Sequence, residues 1–377
     1  GQAEAPRHRL GDALAGAVAL SGFGAPAWLW IVYGALVVLF NVRPIRRAVL
    51  SAPLMKTMEA LQFLPTISET EQTAIDAGTV WMDAELFSGK PDFKKTLDQL
   101  YPELTERERA FLDHECEELC AMVDDWDIHQ RGDLPTEAWD YLKTKGFFGM
   151  LIPEEYGGLG FSAEARSAVV QKLGTKSLPL SITVMVPNSL GPGELLMHYG
   201  TDAQKDYYLP KLASGELIPA FALTEPNAGS DAGGMQSTGE GFRGDDGALY
   251  VRLNWKKRYI SLAAIAGVLG LAFKLRDPEN LLGKGEHPGI TCALVPTDAD
   301  GVKLGRRHDP LGIAFYNCPT EGKDVVLPID AIIGGKDGAG RGWAMLMDAL
   351  SAGRGIMLPA QSTGGLKYFT RVASGHA

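Results

Sequence analysis

Between Ala13 and Val42 the chain runs for 30 residues without Asp, Glu, Lys, Arg or His. No other stretch restricts the fold as much, because a helix that is apolar all round must be covered on every side by lipid or by protein. The densest part, Ala25–Val42, is 18 residues long, against the roughly 20 that span a hydrocarbon core. Trp28 and Trp30 stand near one end, and Arg43, Arg46 and Arg47 follow the other. An aromatic edge and a positive flank place the downstream chain on the cytoplasmic side. A cleaved signal peptide fits less well, since the apolar run is long and passes straight into Arg and Pro. The pattern predicts a membrane helix, with Ala13–Gly24 as part of a second span or a re-entrant turn.

The remaining sequence reads as two or three domains of a globular protein, the whole being 377 residues. With 36 basic and 46 acidic residues the net charge is −10, so no overall field attracts nucleic acid. Glycine is in excess at 45 residues; lacking the period of collagen, it points to tight turns and close backbone approaches. Four cysteines, Cys116, Cys120, Cys292 and Cys318, are too few to staple such a fold. Cys116 and Cys120 share an apolar helical stripe with Leu119 while His114 points elsewhere, so they read as core and no metal site is expected.

Ser51–Leu100 is polar, weakly periodic and broken by Pro53, Pro65 and Pro91, as in a connector with short helices. Thr105 and Glu108 then form a capping box that opens a helical stripe through Phe111, Leu112, Cys116, Leu119, Cys120 and Val123. Helices are predicted over Pro135–Lys145, Ser162–Leu173, Ser189–His198 and Thr201–Leu212, around a Gly/Pro-dense loop at Met150–Gly160. After Ile218, short runs at Ala220–Thr224, Leu249–Asn254, Lys257–Leu262, Thr291–Pro296 and Asp324–Leu327 predict an antiparallel sheet. Helical periodicity returns from Gly342. The expected fold class is α+β. Its order is a membrane-anchor segment (1–48), a connector (49–104), an amino-terminal helical domain (105–219), a middle antiparallel β domain (220–335) and the start of a carboxyl-terminal helical domain (336–377).

Phe221–Asp231 (FALTEPNAGSD) leaves a strand, turns at Glu225-Pro226-Asn227, and ends in small residues whose amides can cradle a phosphate or a flavin edge. By itself it reads better as an ordinary turn. Thr224–Asp231, however, resembles the TEPxAGSD signature of the acyl-CoA dehydrogenases. Ile152–Gly160 (IPEEYGGLG), Tyr199–Glu216, Lys256–Ala263 (KKRYISLA), Gly301–Ile313 and Gly338–Gly355 resemble further segments of that family in order and spacing. Asp76–Asp92 (DAGTVWMDAELFSGKPD) is similar to the long, membrane-associated bacterial branch, the FadE type.

The resemblance implies an acyl-CoA dehydrogenase-like fold with FAD as cofactor. It places Phe221, Leu223 and Thr224 along the flavin edge, and Gly229 and Ser230 beside the FAD phosphates, with Ser230 also near the acyl-CoA. Tyr259 takes the position of a Trp that stacks on the isoalloxazine, Ser261 that of a Thr that reaches flavin N5, and Arg354 that of an arginine that binds CoA. Leu262-Ala263 departs from the family's Asn-Gly. Arg306, Arg307 and His308 read as a solvated turn or as a contact to CoA phosphate. Glu225 belongs to the turn. The family's catalytic base is a glutamate in the carboxyl-terminal helical bundle, expected beyond Ala377, so no catalytic residue is assigned in this chain and the fragment alone is expected to be inactive.

The implied reaction is the FAD-dependent α,β-dehydrogenation of fatty acyl-CoA to trans-2-enoyl-CoA, the first step of β-oxidation. The implied partners are fatty acyl-CoA, an electron-transfer flavoprotein or another respiratory acceptor, the membrane, and a second copy of the full-length chain. The expected location is the bacterial inner membrane, with the catalytic part facing the cytoplasm. Two alternatives stay open: an acyl-CoA oxidase on the same scaffold, and a non-catalytic, membrane-tethered binding fragment.

Overall fold

The computed structural model describes residues 16–61, 72, 82–87, 89–98, 102–189 and 191–376. They belong to two compact units, residues 1–72 with 78–101 and residues 73–77 with 102–377.

In the first unit a helix spans Ala27–Asn41, with Pro26 at its N-cap and Val42 extended at its end (φ −84°, ψ 105°). Arg43–Arg46, a π-helical turn at Arg47–Ser51 and Ala52–Ala60 follow as further helical pieces. Trp28, Ile31, Val32, Leu36, Val38 and Phe40 are all exposed. At about 1.5 Å per residue the 15 residues of Ala27–Asn41 fall short of the roughly 30 Å hydrocarbon core. Among the described residues no single helix is long and apolar enough to cross a membrane; Ala27–Asn41 and Arg43–Met58 pass that test only together and are bent by 84°. The continuous span predicted over Ala25–Val42 is therefore corrected to a shorter helix. Pro26 cannot continue it backwards, and the extended Val42 with Pro44 just beyond ends it. Part of the 49–104 connector, including much of Asp76–Asp92, lies outside the described residues.

The second unit opens with the predicted capping box. Glu108 donates its backbone N–H to Thr105 Oγ1 at 3.3 Å, and its carboxylate accepts from the Thr105 N–H at 2.9 Å. The other carboxylate oxygen accepts from the Ser162 N–H at 2.7 Å, so one buried side chain ties the starts of the helices Glu106–Asp113 and Ala163–Gly174 together. Cys116 and Leu119 lie in the core of this bundle while His114 is exposed. Thr136–Thr144 and Asp202–Ser214 sit close to their predicted positions. The helix predicted over Ser189–His198 is corrected: it starts only at Gly193 and ends at Tyr199, and it is preceded by a separate helix, Leu178–Met185. That helix is buried at every residue after Leu178, so it has no polar face for periodicity to reveal. In the Met150–Gly160 loop a Cβ on Gly158 would stand 2.0 Å from the Ile152 carbonyl oxygen, and only glycine fits there.

Seven strands follow: β1 (Pro219–Ala222), β2 (Thr238–Arg243), β3 (Leu249–Ser261), β4 (Val268–Arg276), β5 (Gly289–Pro296), β6 (Val302–Leu304) and β7 (Asn317–Pro328). They form one sheet in the order β1-β4-β2-β3-β7-β6, with β5 paired to β4. The sheet is mixed, which corrects the antiparallel expectation, because β4 runs parallel to both β1 and β2. Such a strand needs both faces covered, and β4 is buried over its first six residues. β3 is one 13-residue strand where two were expected, with register shifts at Leu253/Trp255 and Lys257/Ile260. Val251, Leu253, Leu269, Phe273 and Val325 make one core; Leu223, Val268, Ala272 and Leu294 pack with Leu195, Leu212 and Met345 in another. The chain then enters a helix at Ser351–His376, where a Cβ on Gly364 would lie 2.5 Å from the Gln171 carbonyl oxygen.

Candidate active site

The turn after β1 is built around Glu225. Its backbone pairs with Ala228 in both directions, at 3.1 and 3.3 Å. Its buried carboxylate accepts from the Gln236 N–H (2.6 Å), the Ser237 N–H (3.0 Å), the Ser237 hydroxyl (2.5 Å) and the Lys257 ammonium (2.8 Å). Burial pushes this carboxyl up, but the bonds from Gln236, Lys257 and Ser237 outweigh it and hold the group below the ordinary carboxylate value. Glu225 is thus charged with its acceptor sites filled, a structural anchor for the loop. Lys257 also donates to the Leu223 carbonyl at 2.9 Å, and the Arg258 N–H to the Thr224 carbonyl at 3.0 Å. These bonds fasten the loop to β3.

Beyond the turn the loop is open. Gly229 and Ser230 are exposed, and the N–H groups of Gly229, Ser230 and Asp231 have no backbone partner among the described residues. A Cβ on Gly229 would meet nothing within 4 Å. Consecutive free amides flanked by small side chains fit a phosphate.

The strand to which the loop is fastened ends at Ser261. The register shift between Lys257 and Ile260 carries Tyr259 to φ 59°, with the residue 54% exposed. The Arg258 guanidinium lies 4.2 Å from the ring centroid, and the His308 ring lies 5.0 Å away at a tilt of 53°. Two residues on, Ser261 faces Asn317 across β3 and β7. The Asn317 amide donates to Ser261 Oγ at 3.3 Å, and its oxygen lies 2.9 Å from His308 Nδ1. Leu262 then takes the left-handed conformation (φ 62°, ψ 0°) although fully buried. Packing holds this left-handed turn without the Asn-Gly of the family pattern.

The structure fastens Leu223 and Thr224 to Lys257 and Arg258, with Tyr259 and Ser261 following on the same strand and Gly229 and Ser230 at the open end of the loop. Phe221 packs its ring over Gly270, where a Cβ would come within 2.5 Å of it; its backbone is what remains for a ligand. Arg354 lies in the Ser351–His376 helix, and its side chain is outside the described residues. The basic trio is not one cluster. Arg306 is exposed, and Arg307 covers the Tyr316 ring at 4.4 Å, whose hydroxyl donates to Asp133 at 2.7 Å. His308 alone reaches the site. Sequence reasoning missed the parts played by Lys257, Arg258 and Asn317. Asn317 is 56 positions from Ser261, and only strand register puts them side by side.

Residues 102–216 match the description "Acyl-CoA dehydrogenase, N-terminal domain" and residues 220–325 "Acyl-CoA dehydrogenase, middle domain". The chain is 32% identical over 293 residues to the "Probable acyl-CoA dehydrogenase FadE10" of Mycobacterium tuberculosis, covering 77% of this chain and 43% of that protein. It is 64% identical over 96 residues to "Protein HemX" of Proteus mirabilis, covering 26% of this chain and 56% of that one. The solved structure of butyryl-CoA dehydrogenase from Megasphaera elsdenii matches with a TM-score of 0.60 and 26% identity, over 70% of this chain and 67% of that one. The chain spans 56%, 63% and 43% of the first three curated relatives that it matches. Two domains matched in order, across the segments that build the loop and the end of β3, show that the chain belongs to the acyl-CoA dehydrogenase family.

Proposed function

We propose that this chain carries the flavin-binding part of a fatty acyl-CoA α,β-dehydrogenase, which forms a trans-2-enoyl thioester as in the first step of β-oxidation. The observation that carries this reading is the fastening of the Leu223–Asp231 loop, with its free amides, to β3 at Lys257 and Arg258, directly before Tyr259 and Ser261. The cofactor is FAD. When bound, it supplies a hydride acceptor at N5 for the substrate β-carbon. Gly229, Ser230 and Asp231 would hold its phosphates through their amides; Thr224, Tyr259 and Ser261 would line the ring system, with Lys257 and Glu225 holding the loop in place.

The substrate we assign is a fatty acyl-CoA, with Ser230 and Arg354 on the CoA side. Its thioester oxygen must accept hydrogen bonds for the α-proton to become acidic. The family resemblance puts the base on a glutamate of the carboxyl-terminal helical domain, and the filled acceptor sites of Glu225 support that assignment. An electron-transfer flavoprotein is the proposed acceptor of the electrons. We further assign the protein to the bacterial inner membrane with this unit on the cytoplasmic side; the exposed apolar residues of Ala27–Asn41 followed by Arg43, Arg46 and Arg47 support it.

The test is anaerobic titration of the purified full-length protein with acyl-CoAs of graded chain length, following the visible flavin band. Bleaching by a fatty acyl-CoA is the expected result. Absence of bound FAD, or a flavin that no acyl-CoA bleaches, overturns the proposal. Membrane attachment is checked separately by fractionation with and without residues 1–48.

A further inference from the structure

We propose that Asn317 is a positioning residue that sets the direction of the Ser261 hydroxyl, with His308 holding Asn317 in turn; this rests on the reading of Tyr259 and Ser261 as a wall of the flavin site. Asn317 is 4% exposed, and a buried amide needs partners at both ends. Its nitrogen finds Ser261 Oγ at 3.3 Å and its oxygen His308 Nδ1 at 2.9 Å. The backbone N–H of His308 donates to the Asn317 carbonyl at 2.6 Å, so the two residues are joined through main chain and side chain. With its Nδ1–H on the Asn317 oxygen, His308 turns the amide nitrogen toward Ser261.

A hydroxyl has one proton and two lone pairs. Once Ser261 Oγ accepts from Asn317, its proton must point away from the amide. Ser261 donates to no group among the described residues. Half-buried at the end of β3, next to the exposed Tyr259 ring, it is left as a donor to a ligand atom. A lone serine is free to point either way, whereas this one is oriented before a ligand arrives, so the ligand need not order it.

The experiment compares FAD dissociation constants and flavin difference spectra of the full-length protein and five variants. Asn317→Asp keeps the shape but replaces the donor by an acceptor, which draws the Ser261 proton toward itself. It should weaken FAD binding as Ser261→Ala does, by roughly threefold to tenfold for one lost hydrogen bond. The double variant Ser261→Ala/Asn317→Asp should be no weaker than Asn317→Asp alone, because the two changes remove one interaction; an effect of the new charge by itself would add. Ser261→Thr should bind as the native protein does. Asn317→Asp with native affinity, beside a weakened Ser261→Ala, overturns the positioning role and leaves the flavin wall standing. Native affinity in Ser261→Ala overturns both. His308→Leu covers the case in which Asn317→Asp fails to fold: releasing the amide should weaken FAD in the same direction and by less, and no change overturns the proposal.

Discussion

The ammonium of Lys257 lies 2.8 Å from the Glu225 carboxylate, and both side chains are buried, at 0% and 4% exposure. This pair joins the turn after β1 to β3 inside the sheet. Removing one partner leaves a buried charge uncompensated, at a cost of about 3–5 kcal/mol. Lys257→Met should therefore lower stability by that order and release FAD; the double variant Lys257→Met/Glu225→Gln should recover part of the stability, as urea unfolding will show.

Acid should loosen the same turn. Glu225 and Glu108 are both pushed up by burial, yet their hydrogen bonds, from Gln236, Lys257 and Ser237 and from Ser162 and Thr105 respectively, leave them below the ordinary value of 4.5. A carboxyl lowered in the folded state contributes its full stabilisation above the unfolded pKa and loses it as pH falls through the folded value. Unfolding free energy should be level in this respect above about pH 5 and drop below it. Glu225→Gln should flatten part of that drop in a pH series of denaturant titrations.

Tyr259 presents the aromatic face, so Tyr259→Ala should weaken FAD by about 0.5–1.5 kcal/mol. Tyr259→Trp should restore the affinity. Fluorescence titration with FAD separates these outcomes, and equal affinity in Tyr259→Ala would remove Tyr259 from the site.

Leu311 is 97% exposed and held at φ 56°, where a leucine costs about 1–2 kcal/mol and asparagine much less. Leu311→Asn loses almost no packing. Thermal unfolding should show it more stable by about 1 kcal/mol, which is roughly 2–4 °C for a domain of this size.

Local features were legible without a structure. The two residues of the capping box, the helices Thr136–Thr144 and Asp202–Ser214, and the loop from Thr224 to Asp231 are written in neighbouring positions, because caps, periodicity and turns act over a few residues. The family resemblance used the same local runs.

Tertiary structure decided the pairings that no short window contains. The parallel neighbours of β4, the ion pair between Glu225 and Lys257, and the contact of Asn317 with Ser261 all depend on register between strands far apart in sequence. The break at Val42 belongs here too: composition announced an apolar run, but backbone geometry ended the helix at Asn41. Sequence by itself determined the caps, the amphipathic helices and the residues of the flavin signature, since those signals are short-range. Only the folded chain determined which side chains meet, since register and burial settle which partner each buried polar group finds.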